Sequence, residues 1–101
     1  MRKTYYTHYA AHAIRNYVES LENDHTDFPT IAEALNWESA DKAFSKLTQT
    51  ERDVVKALYR KDGPMQERVE TVARETGFSA ESVWTVCDRA MKLFAGIRGL
   101  I

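Results

Sequence analysis

Val72-Ala73-Arg74-Glu75-Thr76-Gly77-Phe78-Ser79-Ala80-Glu81-Ser82-Val83 is the stretch on which the reading of this chain turns. Upstream of it Met65, Val69, Val72 and Ala73 recur at helical spacing. Gly77 stops that run, because glycine takes a left-handed backbone without a Cβ clash. Ser79 then suits an N-cap, where its hydroxyl accepts a hydrogen bond from an amide of the next first turn. Val83, Val86, Cys87, Ala90 and Phe94 resume the helical spacing, with Gly96 near the end. The pattern predicts a helix over 65–76, a turn at Gly77-Phe78-Ser79 and a second helix over 79–95. Ala73 is the small residue that lets the two cross closely, so the pair reads as a helix-turn-helix.

Working outward, Thr48-Gln49-Thr50-Glu51 has the form of a capping box. A helix follows it with Val54, Val55, Leu58 and Tyr59 inward, and Lys61-Asp62-Gly63-Pro64 ends it. Before that, Pro29 suits the first turn of a helix running to about Leu47, since its missing amide would have no partner there. Ile31, Leu35, Trp37, Ala40, Phe44 and Leu47 mark its apolar stripe, which is imperfect around Asn36 and admits a break there. Residues 4–21 form the first amphipathic helix, with Tyr6, Tyr9, Ala10, Ala13, Ile14, Tyr17 and Leu21 inward. The expected architecture is all-α, about five helices in a single domain spanning 1–101. Its parts are an N-terminal helical part, 1–47, and a helix-turn-helix part, 48–101.

Composition agrees. Over 101 residues, 44% are apolar and 29% charged, and only four glycines and two prolines interrupt the chain, which favours long helices over short strands. A single cysteine, Cys87, excludes an internal disulfide and a cysteine-rich zinc site. The basic opening Met1-Arg2-Lys3 has no apolar stretch behind it, and no run approaches the roughly 18 apolar residues of a membrane span, so a cytoplasmic protein without membrane attachment is expected. Residues 1–47 carry five Lys/Arg against seven Asp/Glu, and residues 48–101 carry nine against eight. That near-neutral balance in the later half counts against a strong general DNA binder.

The 72–83 stretch resembles the second half of region 4 of bacterial sigma factors, and Arg89-Ala90-Met91-Lys92 resembles that region's usual ending. Leu47-Thr48 with Glu51-Arg52-Asp53-Val54-Val55 looks like the family's preceding helix, so the likeness covers roughly residues 47–95. The connector from Lys61 to Gln66 is longer than the family's usual link. Tyr9, His12-Ala13-Ile14-Arg15 and Trp37 are reminiscent of small phage and prophage regulators of transcription that carry such a domain.

The resemblance implies a DNA-binding transcription regulator that reads promoter-like duplex DNA with helix 79–95 in the major groove. Its candidate contacts are Ser79, Ala80, Glu81, Ser82, Trp84, Thr85, Asp88, Arg89 and Lys92. Glu81 matches a glutamate frequent at the second helical position of the family, where a carboxylate accepts a hydrogen bond from a cytosine amino group. Ala80 and Ser82 stand where many members carry basic residues. Arg89 and Lys92 suit phosphate, and Trp84 suits either a base or sugar contact or packing within the protein or against a partner.

Other readings stand beside this one. A helical module that docks on RNA polymerase or another protein, or inhibits it, without reading DNA would use the same scaffold. The tail Ile97, Leu100 and Ile101, with the tyrosines of the first helix, offers surface for a homodimer. His8 and His12 stand four apart, a spacing that lets two imidazoles face one metal ion, with His25 a conceivable third; helix-surface histidines are the plainer reading, and no metal or other cofactor is expected. Cys87 falls on an inward stripe and reads as core. No Gly-rich phosphate loop or nucleophile elbow occurs, so no enzyme is expected.

Overall fold

The computed structural model describes residues 6–23 and 28–101. Among the described residues there are five helices and no strand: α1 (Thr7–Asn23), α2 (Ile31–Ser45), α3 (Gln49–Arg60), α4 (Met65–Thr76) and α5 (Ala80–Arg98). None is long and apolar enough to cross a membrane. The fold class expected from periodicity is therefore the one adopted.

Each later boundary has a local cause. Thr48 accepts from the Glu51 amide at 3.1 Å while the Glu51 carboxylate accepts from the Thr48 amide at 2.9 Å, closing the capping box that starts α3. Gly77 ends α4 with φ +81° and donates its amide to the Ala73 carbonyl at 2.9 Å. Ser79 caps α5 by accepting from the Ser82 amide at 3.1 Å. The long connector after α3 is held by two arginines: Arg15 of α1 donates to the Lys61 carbonyl at 2.9 Å and Arg68 of α4 to the Leu58 carbonyl at 3.1 Å. Both satisfy carbonyls at the C-terminal end of α3, where cations are favoured.

Helix α5 is the axle, packing against all four other helices, while α4 packs mainly on α3 and α5. One hydrophobic cluster joins all five, with Phe94, Leu58, Tyr59, Ile14, Val69 and Phe44 among its large members. Small side chains mark the inner faces of α1 and α2, where Ala10, Ala13, Ala40 and Ala43 are buried. Hydrogen bonds then tie these helices together: Tyr17 Oη donates to Asp41 Oδ1 at 2.6 Å, and Trp37 Nε1 to Ser20 Oγ at 2.7 Å. Asn36 Oδ1 accepts from both Tyr9 Oη at 3.0 Å and Arg98 Nε at 2.8 Å, linking α2 to α1 and α5.

Several expectations for the N-terminal part need correction. Tyr9 and Leu21 are exposed rather than inward, because the buried face of α1 is Ala10, Ala13, Ile14, Tyr17 and Val18. Ile31, 80% exposed, and Leu35 lie outside the core, whereas Ser39 lies inside it. Pro29 precedes the cap residue Thr30 rather than opening the helix, and α2 continues unbroken through Asn36. Helix α1 begins at Thr7, and the predicted start at residue 4 lies outside the described residues. Helix α5 runs past Gly96 to Arg98 and is capped by left-handed Gly99. Of the surface expected to serve a homodimer, Ile101 and Tyr9 are exposed, Ile97 and Leu100 are half-buried against the chain's own core, and Tyr17 is buried.

Candidate nucleic-acid interface

The turn between α4 and α5 is three residues long, Gly77 to Ser79, and α3 packs on both helices. Together with α1 and α2, this trihelical unit buries Val83, Cys87, Ala90, Met91 and Phe94 of α5. The opposite side of the helix faces solvent. Ser79, Ala80, Glu81, Ser82, Thr85, Arg89 and Lys92 are exposed, while Trp84 and Asp88 are half-buried. Glu81, Thr85, Asp88 and Lys92 follow one another at four- and three-residue steps and so form a single stripe, with Ser82 and Arg89 beside it.

The polar groups of this face differ in availability. Ser79 Oγ donates to Ser82 Oγ at 2.9 Å and Thr85 Oγ1 to the Glu81 carbonyl at 3.0 Å, so both hydroxyl protons serve the helix itself. The Glu81 carboxylate, in contrast, has no hydrogen-bond or ion-pair partner among the described residues, and it stands in the first turn of α5. Lys92 Nζ pairs with Asp88 Oδ2 at 3.0 Å, and that carboxylate raises the lysine pKa. Arg89 Nε lies 3.4 Å from Glu51 Oε2 at the start of α3. Both cations expected to meet phosphate are thus already engaged with carboxylates.

Trp84 packs its inner edge against the core, so only part of its ring is available to anything outside. The sequence reading missed Lys46. It is exposed at the C-cap of α2, and its carbonyl lies 3.5 Å from Arg89 Nη2, which places the α2–α3 junction at the border of the α5 face. No local signal could have indicated this, since residues 46 and 89 meet only through tertiary packing. On α4 the exposed face carries Glu67, Glu70 and Glu75 with Arg74, and Glu75 is paired with Lys61 at 3.0 Å. The first helix of the motif is therefore acidic outside.

His8, His12 and Cys87 are placed as surface and core residues. His8 and His12 are exposed on α1, and the described residues contain no group of three or more metal-binding side chains. His25 lies outside the described residues. Cys87 is buried with its Sγ 3.9 Å from Tyr59 Oη, and burial pushes its thiol pKa up, away from the reactive thiolate. Comparison of the chain with family models, with curated proteins and with solved structures finds no match.

Proposed function

We propose that the chain is a non-enzymatic, cytoplasmic transcription regulator that binds duplex DNA. In this reading residues 79–95 enter the major groove in the manner of sigma region 4 domains and of the phage and prophage regulators that carry them. The supporting observation is the exposed side of α5: behind a left-handed glycine turn and a serine cap, its outward residues are open to solvent over three turns, with the unpartnered Glu81 carboxylate at the leading end. Glu81 and Ser82 then meet base edges, while Arg89 and Lys92 exchange their carboxylate partners for phosphate. That exchange is inexpensive, because exposed ion pairs contribute only about 0–1 kcal/mol. A single module covers about 600–1,000 Å² of DNA and this one brings few cations, so a second copy or a tether to RNA polymerase supplies the effective concentration.

The ion pairs at Arg89 and Lys92, together with the acidic exterior of α4, favour a second reading in which α5 docks on RNA polymerase without reading DNA. One experiment separates the two. Duplexes selected from a random pool are titrated at several salt concentrations with the parent, Arg89→Ala, Lys92→Ala and Glu81→Ala proteins. Groove binding predicts that each lost cation weakens all duplexes alike and reduces the salt slope by about one unit, whereas Glu81→Ala relaxes preference at one base pair at a cost of about 1–3 kcal/mol. If no duplex is selected while purified polymerase binds the parent but not Trp84→Ala, the docking reading takes its place.

A further inference from the structure

Between α1 and α2 a cleft of about 400 Å³ opens, lined by Tyr17, Ser20, Phe28 and Trp37 at its aromatic side and by Glu19 and Glu33 among its polar residues. This volume falls within the range of small-molecule sites. Its rings form a connected wall: the Trp37 centroid stands 5.3 Å from that of Tyr17 and 5.9 Å from that of Phe28, with its plane tilted to both. The Trp37 indole is fixed by donation to Ser20 Oγ at 2.7 Å, and that hydroxyl in turn donates to the Tyr17 carbonyl at 2.6 Å. The Tyr17 hydroxyl proton is spent on Asp41. The aromatic side consequently presents ring surface with no hydroxyl or indole proton left for a ligand.

Charge narrows the choice of ligand. Among the described residues no Lys or Arg lines the cleft, whereas two glutamates do. Glu33 has no ion pair among the described residues, and Glu19 has only Arg15 at 4.0 Å on its own helix. An anion would be repelled, and a hydrated metal ion gains nothing from three rings. Aromatic faces beside carboxylates suit an organic ammonium, whose charge is attracted to both while its carbon skeleton covers the rings. We propose that this cleft binds a small organic ammonium ion, with its apolar body on the half-buried rings of Trp37 and Phe28, backed by buried Tyr17, and its charge toward Glu19 and Glu33. The Asn36 side chain, which lines the same cleft, also accepts from Arg98 of α5, so occupancy is felt at the central helix.

The test is a titration of the full chain with benzyltrimethylammonium, followed by amide and indole NMR resonances, with benzoate as the anionic counterpart. The expected result is saturable movement of the Trp37 indole and Ser20 amide signals with benzyltrimethylammonium and none with benzoate. Glu33 is exposed and unpaired, so Glu33→Gln should keep the fold and weaken binding about twofold to fivefold, while Glu38→Gln, outside the cleft, leaves it unchanged. Movement of these signals by benzoate to the same extent, absence of saturable movement at millimolar ammonium, or unchanged affinity in Glu33→Gln would overturn the proposal. None of these readouts involves DNA, so their failure leaves the α5 reading where it stands.

Discussion

The α3–α4–α5 unit and the α1–α2 pair grip the same central helix by different means. In the first, chain-local devices set each helix end: the Thr48–Glu51 box, left-handed Gly77 and the Ser79 cap. Valines and Leu58 then fill the space between the helices. In the second, alanines allow close approach, and hydrogen bonds between residues far apart in sequence fix how the helices sit, as at Tyr17–Asp41, Trp37–Ser20 and Arg98–Asn36–Tyr9. A region built from local devices keeps its geometry through the turn. A region built from cross-links keeps it only while its partners stay in place, which suits a cleft that responds to a ligand.

The largest expected effect tests whether the two regions share one fate. Phe94 is fully buried on α5, the helix both regions use, so Phe94→Ala should cost about 3–5 kcal/mol. Urea unfolding followed by helical circular dichroism and by tryptophan fluorescence should then move as one transition. Two separated transitions would mean that the regions fold independently and that the comparison is one of domains. Gly77→Val comes next. Nothing lies within 4 Å of a Cβ built there, so its cost is that of the left-handed backbone alone, about 2 kcal/mol. Gly77→Asn, which tolerates that conformation, should cost less than about 1 kcal/mol; equal losses would show that something other than backbone conformation is at stake.

This division also explains what could be read without coordinates. The boundaries of α3 and α4 and the start of α5 were legible because caps and glycine stops act within a few residues of the chain, whereas α5 runs past Gly96 to Arg98. The inner face of α2 was legible only in its second half, at Ala40 and Phe44. Packed against both α1 and α5, it buries Ser39, Ala40, Ala43 and Phe44 and leaves Ile31 and Leu35 outside, so hydrophobicity alone misplaces its stripe. Tyr9 was misread for a related reason, since its hydroxyl reaches Asn36 from an exposed position. On the candidate interface, exposure of the outward α5 residues followed from helical spacing. The capture of Arg89 by Glu51 did not, because that pair spans two helices.

Alkaline pH sharpens the comparison further. Burial raises the pKa of Tyr17 in the α1–α2 pair and of Tyr59 in α3, aided by Asp41 and Cys87 respectively. Both folded values lie above the ordinary phenol value near 10, so the unfolded chain loses these protons first. Their contribution is complete below about pH 10 and is lost as pH rises from there toward the folded values. Tyr17→Phe should cost about 0.5–1.5 kcal/mol at neutral pH through the lost bond to Asp41, yet its stability should fall less steeply than the parent's above pH 10. Parallel pH profiles for the two proteins would show that the Tyr17 proton is not held by the fold.

The smallest effect on stability carries the most information about the outward face of α5. The Asp88–Lys92 pair is exposed and spans one helical turn, a geometry that contributes about 0.3–0.5 kcal/mol. Asp88→Asn should therefore move the unfolding midpoint barely at all. Its electrostatic effect is larger than that figure suggests, since it removes a negative charge from the stripe Glu81–Thr85–Asp88–Lys92 and frees the ammonium. If the stripe faces phosphate, duplex affinity should rise about threefold to tenfold at low salt, because Asp88 no longer repels phosphate and Lys92 no longer has to leave it, while the salt slope stays near the parent's, since Lys92 meets phosphate in both proteins. If the stripe instead docks on a protein, removing the carboxylate has no reason to favour DNA, and affinity for duplex stays at the parent's level at every salt concentration. A gain in affinity accompanied by a slope one unit steeper would show instead that Lys92 stays on Asp88 in the parent and meets phosphate only once freed, because each new phosphate contact displaces counterions from the duplex.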